Sequence, residues 1–211
     1  MRVVRPADMV DLLADPGSAL RRMAASGEVR RIARGIYVAV PDDAYDPKRW
    51  RPAFEAAAGA IGTALFGEGR AVAMGITAAR LHRAVPRACA RAYVAVERGR
   101  AEVRMADRDH GWVTFVQREL DALDVQPIRT ELGTFLATTP EQTLIDLATG
   151  SDLNPSDARE TMTILAQSVD WARVAALARG LADVRSVLVD GNLPTADRLA
   201  AGAAFGFDDL V

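Results

Sequence analysis

Cysteine is almost missing from this chain of 211 residues: Cys89 stands alone, so no internal disulfide can form. Lysine is equally scarce, with Lys48 set against 25 arginines. A GC-rich coding bias gives that ratio, and the abundant alanine too, so arginine frequency carries no functional weight. Arginine position does. The phosphate-binding G-x-x-x-x-G-K-[ST] loop is absent, and Gly67-Glu68-Gly69 is too short for a dinucleotide fingerprint. No G-x-S-x-G elbow occurs. His82 and His110 are far apart, and no H-E-x-x-H or C-x-x-C motif exists to suggest zinc. No apolar run reaches about 18 residues, the length that would suggest a membrane span. The opening MRVVRPADMV lacks the apolar core of a signal peptide. The expectation is a cytoplasmic, non-enzymatic protein with no membrane partner, no metal, no catalytic residue and no small-molecule cofactor.

An excess of one charge sign is missing as well. There are 26 basic and 28 acidic side chains, net −2, which excludes a uniformly basic nucleic-acid binder. The halves differ, however. Residues 1–108 hold 19 basic and 12 acidic side chains, net +7, and the remainder is net −9. A hydrophobic share of 50% suits a core-forming globular chain of one large domain or two small ones.

Periodicity predicts a short helix over residues 6–14, with Met9, Leu12 and Leu13 facing a core. A second helix is predicted over 18–26, capped by Ser18 and stopped by Gly27. Residues 28–32 and 36–40 read as a β-hairpin, with Ala33, Arg34 and Gly35 between the strands. Pro41 to Pro47 reads as a linker, followed by an Ala-rich helix over 50–66. Short β segments then run from about 71 to 138 (AVAM, AYVAV, EVRM, WVTFV, VQPIRT, TFLAT), interrupted by a helix at 77–83. Thr139-Pro140-Glu141-Gln142 is a strong helix start, with a cap, a first-turn proline and acid, and a capping-box glutamine. Further helices are predicted from Asn154 to Ser168, from Asp170 to Arg179 and after Pro194. The expected fold class is α+β. A shortened winged helix-turn-helix-like module, residues 1–41, precedes a larger α+β domain, 42–211, which ends in helices over 139–204.

The most informative stretch is LRRMAASGEVRRIARGIYVAV, residues 20–40. Residues 16–40 carry five arginines against one acid, Glu28. A helix bearing Arg21 and Arg22, followed by a hairpin bearing Arg30, Arg31 and Arg34, has the layout of a recognition helix and wing. Guanidinium groups suit both jobs, forking onto phosphate or a guanine edge. A solvated charged hairpin accounts for the same pattern. Only two helical segments precede the hairpin, one fewer than a full winged helix, so a degenerate module kept for protein contacts is also open.

The chain resembles the AbiEi antitoxin family. The resemblance rests on Gly27–Tyr37 (GEVRRIARGIY) and Thr138–Ala148 (TTPEQTLIDLA), and it spans most of the sequence. It implies an N-terminal winged-helix module that binds promoter DNA, and a larger region carrying antitoxin activity of type IV. The implied partner is a cognate nucleotidyltransferase-like toxin. The candidate DNA-binding residues, taken from the basic helix and hairpin, are Ser18, Arg21, Arg22, Arg30, Arg31 and Arg34. Neutralisation by direct binding and by antagonism without a stable complex both remain open. The alternative function is a stand-alone winged-helix transcriptional regulator whose large domain senses a ligand or oligomerises.

A second basic stretch, residues 70–108, has nine arginines and three acids. Arg80, Arg83, Arg87 and Arg91 recur at helical spacing, although Pro86 interrupts any helix. A solvated surface, a nucleic-acid contact and a toxin-docking surface all fit them. Phe205 and Phe207, beside Asp208 and Asp209, form a candidate partner-docking tail, and a frayed end fits the same residues. Asp107-Arg108-Asp109-His110 is the most metal-like cluster and would serve a metal nuclease. Gly111 after it favours a polar turn instead.

Overall fold

A computed structural model of the chain describes residues 2–85, 89–150 and 155–179. The fold is mixed α+β, with two sheets and, among the described residues, six α-helices. The chain divides into two compact units. One takes the described residues of Met1–Ala73, Cys89–Leu120 and Pro127–Leu136. The other takes those of Met74–Ala88, Asp121–Gln126 and Ala137–Val211. Residues 2–41, expected as a module of their own, thus share a unit with the following helix and most of the strands.

In the first unit, Val3–Val4 (β1) pairs antiparallel with Ile36–Ala39 (β3), which pairs antiparallel with Val29–Ala33 (β2). The resulting sheet has the order β1-β3-β2. Sequence patterning missed β1, because two residues are too few to show alternation. The first predicted helix is a single 3-10 helix, Pro6–Met9, with Pro6 in its first turn as expected. The chain leaves it before Leu12, so the expected inward face breaks off. Met9 packs inward, but Leu12 is 76% exposed.

Helix α1 spans Pro16–Ser26. It starts earlier than the sequence suggested, because Asp15 is the cap: its Oδ1 accepts the Ser18 amide at 3.0 Å. Gly27 ends α1 in the left-handed region at φ 92°, where a side chain would be strained. Leu20 is fully buried, contributing about 2 kcal/mol. It packs with Val29 and Tyr37 from one face of the small sheet. The other face gives Ile32, Ile36 and Val38 to the main core.

Helix α2 spans Phe54–Phe66 and is buried along most of its length. Alanine supplies helix propensity there, and small residues let neighbours approach. A Cβ on Gly59 would come within 2.8 Å of three Phe135 ring atoms. The second sheet has the order β6-β7-β5-β4-β9-β8. Its strands are β4 (Val72–Ala73), β5 (Arg91–Val96), β6 (Val103–Arg104), β7 (Trp112–Gln117), β8 (Val125–Thr130) and β9 (Gly133–Thr138). All six predicted β segments therefore form strands. β5 and β7 run parallel in register from Arg91↔Trp112 to Val96↔Gln117. Pro127 sits in β8, an edge strand, where proline is tolerated better than in a central strand.

The second unit holds α3 (Gly75–Leu81), α4 (Pro140–Thr149), α5 (Pro155–Ala166) and α6 (Trp171–Leu177). Thr139 caps α4 as predicted, accepting the Gln142 amide at 3.3 Å. Gln142 does not close a capping box, however. Its Oε1 accepts the Asp124 amide, and the Thr139 amide donates to the Asp124 carbonyl. Asp170 caps α6, and Leu144, Ile145 and Leu147 are buried. The helix predicted after Pro194 lies outside the described residues. No helix among the described residues is long and apolar enough to cross a membrane.

Candidate nucleic-acid interface

Two residues of each turn of α1 are committed inward, so the rest must face out. Ala19, Leu20, Met23 and Ala24 pack inward, while Arg21 and Arg22 are exposed. Ser18, expected as the cap, sits in the first turn instead, and its Oγ accepts from Arg21 Nη2 at 2.7 Å. The Asp15 carboxyl lies below the usual carboxylate range. The Ser18 side chain and then its amide hydrogen-bond it, and Arg21 and Arg22 add smaller attractions. The α1 end carries a further bond, from the Ser26 hydroxyl to Glu28.

Strand register separates the hairpin arginines. Side chains alternate across a strand, so Arg30 and Arg31 point to opposite faces of the sheet. Arg31 is paired with Tyr37, on the face that packs α1, and it is exposed. Its Nε donates to the Ala33 carbonyl at 3.3 Å. Arg30 is paired with Val38, on the opposite face. Its Nη1 donates to the Lys48 carbonyl at 2.9 Å, tying β2 to the following loop. Arg34, at the hairpin turn, is exposed and makes no side-chain hydrogen bond or ion pair among the described residues. Arg21, Arg22, Arg31 and Arg34 therefore occupy the α1 side or the tip, and Arg30 stands apart from them.

The hairpin tip is short and anchored. Ala33 is fully buried beside the two-residue turn. The Ala106 amide donates to the Ile32 carbonyl at 2.8 Å. A long wing reaching outward is therefore not what this hairpin forms. The sequence did not show this, since Ala33 gives no sign of being a core residue.

The second arginine set is spread over different elements. Arg80 lies in the last turn of α3. Arg83 follows that helix, exposed and at φ 61°, with the Ala84 amide reaching back to the Ala79 carbonyl. That is a helix-ending position normally held by glycine. Arg91 opens β5, paired with Glu102 and donating to Thr114 at 2.9 Å. Arg91 belongs to the first unit, Arg80 and Arg83 to the second. Arg87, Phe205 and Phe207 lie outside the described residues.

The metal-like cluster is a turn, with no strand between β6 and β7. The Asp107 side chain is fully buried, and both of its oxygens accept from Arg108, at 3.0 and 2.5 Å. Arg108 also donates to the Pro52 carbonyl and lies 5.3 Å from the Phe54 ring centroid. Among the described residues no group of three His, Cys, Asp or Glu side chains is placed to hold a metal ion. No protein-family model and no curated protein matches the chain.

Proposed function

We propose that this chain is an antitoxin that neutralises a nucleotidyltransferase-like toxin, and that it also binds the DNA of its own operon. The observation that carries the reading is the pair of family-like blocks. Gly27–Tyr37 ends α1 and makes the hairpin β2–β3, and Thr138–Ala148 makes the capped, core-facing helix α4. Both blocks are thus architectural, which is what a resemblance in fold requires.

Support for the DNA role is local. A three-stranded sheet with α1 packed on one face is compatible with the proposed winged-helix-like role, and Arg21, Arg22, Arg31 and Arg34 supply cations on that side. The proposed action is by binding, and no catalytic step is assigned. Co-expression with a neighbouring nucleotidyltransferase-like toxin tests the antitoxin role. Restored growth together with co-elution on a sizing column supports direct neutralisation. Restored growth without co-elution supports antagonism without contact. No restoration overturns the reading and favours the stand-alone transcriptional regulator.

A further inference from the structure

Three large apolar side chains are exposed among the described residues: Val10 at 62%, Leu12 at 76% and Tyr45. Two of them sit together in the turn between the 3-10 helix and α1. That turn is ordered, with the Leu12 and Leu13 amides both donating to the Met9 carbonyl. Exposed Asp11 lies between the two in the chain, and exposed Asp15 follows Leu12 by three residues. An apolar knob with acids beside it repels nucleic acid and calls for an apolar recess with a basic rim.

The same unit holds a recess in which two apolar side chains sit among charged ones. A cleft of about 350 Å³ is lined by Leu65, Phe66, Arg70, Glu97 and Arg98. Phe66 is braced by Phe115, with ring centroids 5.1 Å apart. Arg70 is engaged by Glu97, while Arg98 has no ion pair among the described residues and leaves the rim positive. The knob is anchored close by. Arg5, which opens the 3-10 helix and pairs with Asp8, donates from Nη1 to the Ala64 carbonyl at 2.6 Å. Ala64 directly precedes the two apolar residues of the cleft.

We propose that the occupant is a second copy of this chain, with the Val10–Leu12 knob of each copy entering the Leu65–Phe66 cleft of the other. Charge complementarity selects this partner, since Asp11 and Asp15 meet a rim on which Arg98 is the cation without an ion pair among the described residues. Neighbouring knob and cleft suit a two-fold arrangement, which uses both pairs at once and closes on itself. The contact is small beside standard interfaces, so the dimer belongs to the weak, concentration-dependent class.

Sedimentation of the full chain over a wide concentration range tests this, with circular dichroism to verify folding of each variant. The wild type is expected to move from monomer to dimer as concentration rises. Leu12→Glu and Arg98→Glu are each expected to weaken the dimer about tenfold. Asp11→Arg is expected to weaken it too, and Asp11→Arg combined with Arg98→Glu to regain most of the loss. A monomer at every concentration overturns the proposal. So does a dimer indifferent to Leu12→Glu and Arg98→Glu, or one in which the charge exchange recovers nothing.

Discussion

Asp107 and Arg108 invite a chemical reading in the sequence and a structural one in the fold. A carboxylate stripped of solvent is costly unless a cation and hydrogen bonds compensate it. Arg108 provides both, its Nη2 also donates to the Pro52 carbonyl, and its guanidinium lies over the Phe54 ring. The pair thus fastens the turn before β7 to the start of α2. Replacing Asp107 by Ala leaves the Arg108 charge largely buried and unpaired. Urea unfolding is expected to show a loss of about 3 kcal/mol. Replacing both residues, Asp107→Leu with Arg108→Met, is expected to cost much less, because no lone charge remains. Equal losses for the two variants would mean that burial of the ion pair is not what holds this turn.

Elements came through in the sequence where their causes are local. Thr139-Pro140 announces α4 because capping and a preset φ act within one turn, and the β segments of 71–138 show in their β-branched and aromatic residues. Causes that act across the chain did not come through. Arg30 is occupied by the Lys48 carbonyl, eighteen residues on, and Ala33 is buried because Ala106 closes over the hairpin end. Leu12 looked inward only if the first helix continued, and a 3-10 helix of four residues does not continue. The start of α1 was misplaced because Asp15 and Ser18 are both good caps, and the chain uses the former. That choice has a pH signature. The lowered Asp15 carboxyl makes α1 more stable wherever it is ionised in both states, above the ordinary carboxylate value of about 4. The contribution fades as pH falls from that value through the lowered folded one. Asp15→Asn keeps an acceptor without the titration. The stability gap between wild type and Asp15→Asn is expected to be flat above about pH 5 and to shrink below about pH 4. A gap that does not vary with pH would show that ionisation of Asp15 contributes nothing to the cap.

At the scale of the whole molecule, a net charge of −2 gives no pull toward nucleic acid, so any DNA affinity must come from a local face. Register narrows that face. Of five arginines counted in the sequence, Arg21, Arg22, Arg31 and Arg34 lie on the α1 side or at the tip, and Arg30 lies across the sheet. Each arginine that neutralises a phosphate adds about one to the slope of log affinity against log salt. Binding to operator duplex, measured by fluorescence anisotropy over a salt series, is expected to lose about four units of slope when all four are replaced by Ala. Arg30→Ala alone is expected to leave the slope unchanged and to lower stability slightly through the lost Lys48 contact. If Arg30→Ala flattens the slope as much as Arg31→Ala does, the face is drawn wrongly and both sides of the small sheet meet DNA. If the wild type shows no salt-dependent binding, the module serves protein contacts alone, and the antitoxin role then rests on toxin neutralisation without autorepression.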